Sequence, residues 1–267
     1  MRRALILAAA LVGCGRLGFD DSPRAGDARI PDSAKPDTGP ACAGHAGPSS
    51  VYILAATPFC IDATEVTNEQ YAEFLGANPA VTGQPPECSW KTTYVPGGLW
   101  PFPLGSETLP VASMDWCDAR TYCMWAGKRL CGQIGGGSVA PAVRTIPSQS
   151  EWSWACTGGG AHNYPYGTAY VAGTCVDSVY SGPRPAPVAS AAGCTGGFPG
   201  LFDMSGNITE WENSCDATSG AADGCYYRGG EFAHLMDQTS CAVAEGPFRR
   251  DDDFQGTGGI RCCSDPL

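Results

Sequence analysis

A chain of 267 residues with 36 Gly, 22 Pro and 15 Cys cannot devote most of its length to long helices or strands, because Gly and Pro interrupt both. Hydrophobic residues at 43% supply a buried core, which excludes a disordered or collagen-like chain and suits one large domain or two small ones. With 16 Lys plus Arg against 27 Asp plus Glu and a net charge of −11, the chain would repel a phosphate backbone, so nucleic acid is not the expected partner.

The chain opens with Met1-Arg2-Arg3 and an apolar run from Ala4 to Gly13, too short to span a bilayer, and this predicts a secretory signal over residues 1–14. The run ends in Leu11-Val12-Gly13-Cys14, which resembles a bacterial lipobox and implies lipidation at Cys14, hence an exported protein held at a bacterial envelope membrane. Residues 15–45 follow as an Asp/Pro-rich tether, with Pro23, Pro31, Pro36 and Pro40 among short polar residues; such a segment buries too little apolar surface to offset its ordering entropy. Residues 46–267 are the expected folded domain.

Within that domain three short helices are predicted. Thr67-Asn68-Glu69-Gln70 forms a capping-box pattern ahead of Tyr71, Phe74 and Leu75, with Gly76 as the stop. Trp116, Ala119, Cys123 and Ala126 share a helical face that Gly127 ends. Ser148-Gln149-Ser150-Glu151 reads as a second capping box, starting a helix through Trp152 and Cys156. Strand-like pieces are short, such as Ser50 to Leu54 and Cys225 to Arg228. The Gly-rich stretch from Gly132 to Val143 lacks the Gly-Lys-Ser/Thr ending of a phosphate loop and is read as a surface insertion. Asp251-Asp252-Asp253, beside Arg249 and Arg250, is read as a solvated loop.

Several stretches taken in order resemble the formylglycine-generating enzyme (sulfatase-modifying factor) superfamily. They are Phe59-Cys60-Ile61-Asp62 through Glu65-Val66-Thr67-Asn68 to Tyr71, then Leu109-Pro110-Val111 to Trp125-Ala126-Gly127-Lys128-Arg129-Leu130, then Ser148 to Trp154 and Tyr164-Pro165-Tyr166-Gly167. The series ends with Gly200-Leu201-Phe202-Asp203-Met204-Ser205-Gly206-Asn207-Ile208-Thr209-Glu210-Trp211, Arg228-Gly229-Gly230 and Gly259-Ile260-Arg261-Cys262. The resemblance covers roughly residues 50–264 and implies an α+β fold, a variant of the C-type-lectin-like fold with short helices, small sheets, much irregular structure and many disulfides.

Setting Cys14 aside leaves an even number of cysteines, which predicts disulfides in an oxidising compartment. Paired zinc knuckles are missing from the sequence. The resemblance implies Cys123–Cys262 and Cys156–Cys241. Cys215 and Cys225 flank a small Gly/Ala/Asp segment and read as its staple, adding about 2 to 3 kcal/mol, and Cys175 is matched with Cys194. The pairing of Cys42, Cys60, Cys88, Cys117, Cys131 and Cys263 is left open by the sequence.

The resemblance also bears on chemistry. Formylglycine-generating enzymes place two redox-active cysteines, five residues apart, shortly after the Gly-Gly, where they bind copper(I). Here His234 and Thr239 stand at those positions, Glu231 replaces the usual Ser, and Thr209 replaces the aromatic residue before Glu210-Trp211. The resemblance therefore implies a pocket of Thr209, Glu231, His234 and Cys241 without its oxidase chemistry, and copper is not the expected cofactor. A three-His iron site, as in sulfoxide-synthase relatives, would need His45, His162 and His234, of which His45 lies at the edge of the tether. Asp203, Gly206, Ile208 and Glu210 match a family calcium site, with side chains from the outer two and carbonyls from the inner two. The alternative reading of Asn207 and Glu210 is satisfaction of backbone groups in a tight turn.

Three functions follow from these residues. The first is a lipid-anchored, catalytically degenerate binding module whose groove takes a peptide, glycan or envelope protein. The second is a copper-dependent oxidoreductase that converts a substrate cysteine to formylglycine at a site rearranged around Cys241. The third is a structural component of an envelope assembly.

Overall fold

The computed structural model describes Cys42 and residues 46–98, 100–253 and 257–267, all within the unit Gly39–Leu267. The expected signal, Cys14, His45 and the tether, apart from Cys42, lie outside the described residues.

In chain order the elements are β1 (Ser50–Ile53), β2 (Phe59–Asp62), α1 (Asn68–Gly76), α2 (Trp116–Trp125), β3 (Arg129–Leu130), α3 (Glu151–Thr157), β4 (Thr209–Cys215), β5 (Gly224–Arg228), β6 (Ala244–Arg249), β7 (Gly258–Gly259) and β8 (Cys262–Ser264), with one-turn 3-10 helices at Pro86–Cys88 and Met236–Thr239. They form two four-stranded sheets, β1-β2-β8-β3 and β6-β5-β4-β7. The first is antiparallel. In the second, β4 pairs antiparallel with β5 and parallel with the short β7. The fold is the expected α+β type with short helices, small sheets and many disulfides.

Local sequence explains the helices, with two corrections. α1 starts on the reciprocal capping box of Thr67 and Gln70. Gly76 does not stop it: Gly76 is its last helical residue, Ala77 caps it in the right-handed region, and Asn78 takes the left-handed turn at φ 51°, a conformation the short Asn side chain tolerates. α2 begins on a box that the sequence reading missed, since Asp115 and Asp118 each accept the other's backbone N–H. Its expected face of Trp116, Ala119, Cys123 and Ala126 is buried, and Gly127 turns the chain at φ 75°. α3 caps on Ser150, not Ser148, with the Ser150 hydroxyl accepting from Ser153 N. Glu151 is drawn away from a capping role by Arg129, which holds it with two bonds of 2.6 and 2.7 Å. The Gly132-to-Val143 loop lies at the surface, with Gln133, Gly135, Gly137, Ser138, Ala140 and Ala142 exposed, and is pinned by the buried Val139, whose N–H donates to Asn213 O of β4.

Packing follows the cysteines and aromatics. Tyr71, Phe74 and Tyr122 cluster between α1 and α2, with Tyr71 stacked on Tyr122 at 5.6 Å and its hydroxyl donating to Tyr94 O. Trp152 heads a second core with Phe59, Ile61 and Leu201. The structure contains the bridges Cys123–Cys262, Cys156–Cys241, Cys175–Cys194 and Cys215–Cys225. The cysteines that the sequence left unpaired join as Cys42–Cys60, Cys88–Cys117 and Cys131–Cys263. Cys42 is thus stapled to β2, although the sequence reading put it in the tether. The Cys123–Cys262 bridge spans 139 residues, and closing so long a loop removes much unfolded-chain entropy.

Candidate functional site

β4 organises the interior by strand alternation. Glu210 and Glu212 fall on one face, and Trp211 on the other donates its indole N–H to Met114 O at 2.7 Å. The acidic face meets α3, where Trp152 Nε1 donates to Glu210 Oε2 and Ser150 Oγ donates to Glu212 Oε1, both at 2.6 Å. Two buried arginines complete it. Arg261 bonds Glu210 Oε1 at 2.8 Å and also donates to the carbonyls of Asp62 and Phe202. Arg228 donates to Ser153 Oγ and Cys241 O, and its guanidinium lies 4.7 Å from the Trp152 ring centroid.

The calcium candidates sit at the edge of this network. Asp203 and Asn207 adopt left-handed φ of 54° and 60°, a tight turn in which the Gly206 N–H donates to Gly229 O. A Cβ on Gly206 would come within 2.3 Å of Val176 O, so glycine is required there. Asp203 Oδ2 accepts from Ala189 N at 2.5 Å, whereas Oδ1 has no hydrogen-bond partner. Sequence reading missed the neighbouring Glu65, which is fully buried with both carboxylate oxygens unpartnered; its signal was its place in the Glu65-Val66-Thr67-Asn68 stretch. Burial pushes Glu65 well above the usual carboxylate range, with Asp203 and Glu210 pushing the same way and Arg261 opposing. Burial pushes Asp203 up to about 6 against the Ala189 N–H and Arg261. One buried arginine thus faces three carboxylates. Among the described residues no three His, Cys, Asp or Glu side chains converge closely enough to hold an ion by themselves. The open Asp203 Oδ1 nonetheless fits a hard cation whose remaining ligands are backbone carbonyls.

The four pocket candidates are not brought together. Thr209 is buried and its hydroxyl donates to Thr257 O at 3.0 Å. Cys241 is sealed by its bridge to Cys156. Thr239 is also buried, its hydroxyl donating to Met236 O. Only Glu231 and His234 meet, at 3.7 Å between Oε1 and Nε2, and they are joined by Glu245 of β6, whose Oε1 lies 3.4 Å from His234 Nδ1. Glu245 carried no local sequence signal, because it arrives from a separate strand. Beside them lies a shallow depression of about 450 Å³ lined by His234, Asp237, Gln238, Val243, Ala244 and Glu245, with Glu231 outside its lining. His162, the other His among the described residues, carries a buried Nδ1 without a hydrogen-bond partner.

Comparison with known proteins agrees with the geometry. The family described as the sulfatase-modifying factor enzyme 1-like domain matches residues 34–266. The chain belongs to this family. It is 27% identical to a formylglycine-generating enzyme of Thermomonospora curvata, over 83% of this chain and 86% of that protein. It is 25% identical to the inactive C-alpha-formylglycine-generating enzyme 2 of Mus musculus, over 83% of this chain and 80% of that one. Its fold resembles the crystal structure of CarF, with a TM-score of 0.51 and 24% identity over 86% of this chain and 95% of CarF. Among the described residues no helix is long and apolar enough to cross a membrane, and the seven bridges are consistent with export to an oxidising compartment.

Proposed function

We propose that this sulfatase-modifying-factor-like protein is a catalytically degenerate binding module, lipid-anchored at Cys14 in a bacterial envelope, that keeps the family scaffold and has given up cysteine oxidation. The observation that carries this reading is the state of the sulfur: every cysteine among the described residues is in a disulfide. Copper(I) is bound by thiolates, and the residues at the expected thiolate positions are an imidazole and a buried hydroxyl. A relative with an inactive name, the Mus musculus protein, is as well covered as the active ones, which supports loss of chemistry on a preserved fold. The test is oxygen consumption by the full chain supplied with copper(I) and a cysteine-containing peptide. No uptake above the copper blank is expected, and stoichiometric aldehyde formation would overturn the reading in favour of a copper oxidase rearranged around Cys241.

Calcium belongs to the same proposal as a structural ion. Asp203 Oδ1, with the carbonyls of Gly206 and Ile208, would hold it beside Glu210, whose two oxygens are already bonded by Trp152 and Arg261, and the ion would supply the positive charge that Arg261 alone cannot. An increased melting temperature in calcium over chelator, lost in Asp203→Asn, is expected.

A further inference from the structure

Helix α2 places Trp116, Arg120 and Met124 at i, i+4 and i+8, on one face. After the Gly127 turn the chain returns as β3 and brings Arg129 and Leu130 to that face, and Asn213 reaches it from β4. These six residues line a recess of about 170 Å³ that shares no residue with the His234 depression. Much of its surface is apolar: Trp116 and Leu130 are buried, and Met124 is 54% exposed. The Trp116 indole N–H is committed to Glu212 O at 3.0 Å, so the ring offers the recess carbon surface and no donor.

The polar groups of the recess are uncommitted, which is unusual in a chain this acidic. Among the described residues every other lysine and arginine except the exposed Arg184 lies within ion-pair distance of a carboxylate or, for Arg144, meets the Pro141 carbonyl and the Tyr226 ring. Arg120 is half-buried and has no hydrogen bond, ion pair or ring contact among them. No carboxylate lines the recess, and both terminal nitrogens of Arg129 are taken by Glu151 and Asp265. Asn213 is fixed by its backbone, whose N–H donates to Cys131 O at 2.8 Å and whose carbonyl accepts from Val139 N at 2.9 Å. Its side-chain amide has no partner among the described residues, so a guanidinium and an amide stand ready beside apolar walls.

We propose that this recess binds a monoanionic carboxylate carrying one short apolar group, with the carboxylate on Arg120 and Asn213 and the apolar group against Trp116, Leu130 and Met124. One free guanidinium balances one negative charge, and its planar fork matches a carboxylate. A phosphate dianion would lose hydration against Trp116 and Leu130 with no second free cation to replace it. The recess is smaller than the ~300 Å³ at which pockets for drug-sized ligands begin, so it takes one side-chain-sized group. A free small acid and a polypeptide C-terminus ending in an apolar residue present this same chemistry. The inference goes beyond the binding-module reading and uses none of the residues at the cysteine-pair positions, so it stands whether or not the chain oxidises cysteine.

The test is calorimetric titration of the full chain with N-acetyl-leucine, N-acetyl-leucinamide, acetate, inorganic phosphate and the acetylated peptide Gly-Ser-Leu with a free C-terminus. N-acetyl-leucine is expected to bind about tenfold more tightly than its amide, which lacks the charge-assisted pair, and more tightly than acetate, which lacks the apolar group. R120Q should remove the preference for acid over amide, R120K should restore part of it, and M124Q should narrow the preference for N-acetyl-leucine over acetate. Neither side chain belongs to the core, and near-UV circular dichroism matching the wild type excludes unfolding as the cause. Tighter binding of the peptide than of N-acetyl-leucine assigns the recess to polypeptide C-termini, and weaker binding assigns it to small free acids. Equal affinity for acid and amide, phosphate bound as tightly as N-acetyl-leucine, no binding at millimolar acid, or indifference to R120Q would overturn the proposal.

Discussion

Glu210 on β4 and the two glutamates at the His234 depression are held by opposite means. Glu210 has Trp152 on one oxygen and Arg261 on the other, while its neighbour Glu212 is bonded by Ser150 on one oxygen only, its Oε2 lying 3.9 Å from Arg228 Nε without a hydrogen bond. Glu231 and Glu245 share one histidine that cannot donate to both. The difference teaches where selection for shape ends in this molecule. An interior carboxylate without hydrogen-bond partners, such as Glu65, is costly when ionised, whereas a carboxylate at the rim keeps part of its hydration.

The strongest way to break the interior half of this comparison is Arg261→Met. Removing the guanidinium leaves Glu65, Asp203 and Glu210 facing one another without a cation and frees the carbonyls of Asp62 and Phe202. Loss of one partner from a buried ionic network costs about 4 kcal/mol, so the urea midpoint should fall steeply. A variant as stable as the wild type would show that these carboxyls are neutral and need no cation.

A smaller effect, and one that separates calcium from arginine, lies in the pH dependence. The Asp203 carboxyl is raised to about 6 from a reference of 3.8. A raised folded value means that the stability it contributes is present below the unfolded value and lost as pH rises through about 6. In chelator, stability should therefore decline between about pH 4 and 6, by on the order of 3 kcal/mol from this group. Calcium favours the ionised form and should flatten or reverse the decline. Asp62, also raised to about 6 by burial against its Lys128 partner, declines with the same sign but independently of calcium, so the difference between the two profiles reports the Asp203 cluster. Identical profiles with and without calcium would remove calcium from the structure.

Sequence reading reached what local pattern and ordered motifs encode. Thr67 and Gln70 stand three apart on one helix start, and Gly127 marks a helix end by its own conformational freedom. Pairs such as Cys88–Cys117 and Cys131–Cys263 were not legible, because spacing does not say which of six equivalent thiols a fold brings within bonding distance. The same limit hid half of each charged site. Asp203 and Glu210 lie on one short stretch, but Glu65 reaches them from the other end of the domain; Glu231 and His234 are three apart, but Glu245 comes from β6. Ser148 misled for a different reason. The pattern Ser-x-x-Glu was present, yet Arg129 and the Gly132 N–H claimed Glu151, so the cap moved to Ser150.

The smallest expected effect sharpens the rim half of the comparison. Glu231 and Glu245 are both raised, first by burial, so their contribution to stability is present below the unfolded value and lost as pH rises through the folded one. Both side chains remain partly in water, at 18% and 32% exposure, and solvent screening limits the change to about 1 kcal/mol or less. E231Q/E245Q should therefore match the wild type at pH 4 and be slightly more stable at pH 7, the reverse of Arg261→Met in sign and far smaller in size. If the double variant is instead destabilised at pH 7, these two glutamates support the fold as Glu210 does, and the distinction between Glu210 and the rim glutamates fails at its weaker end.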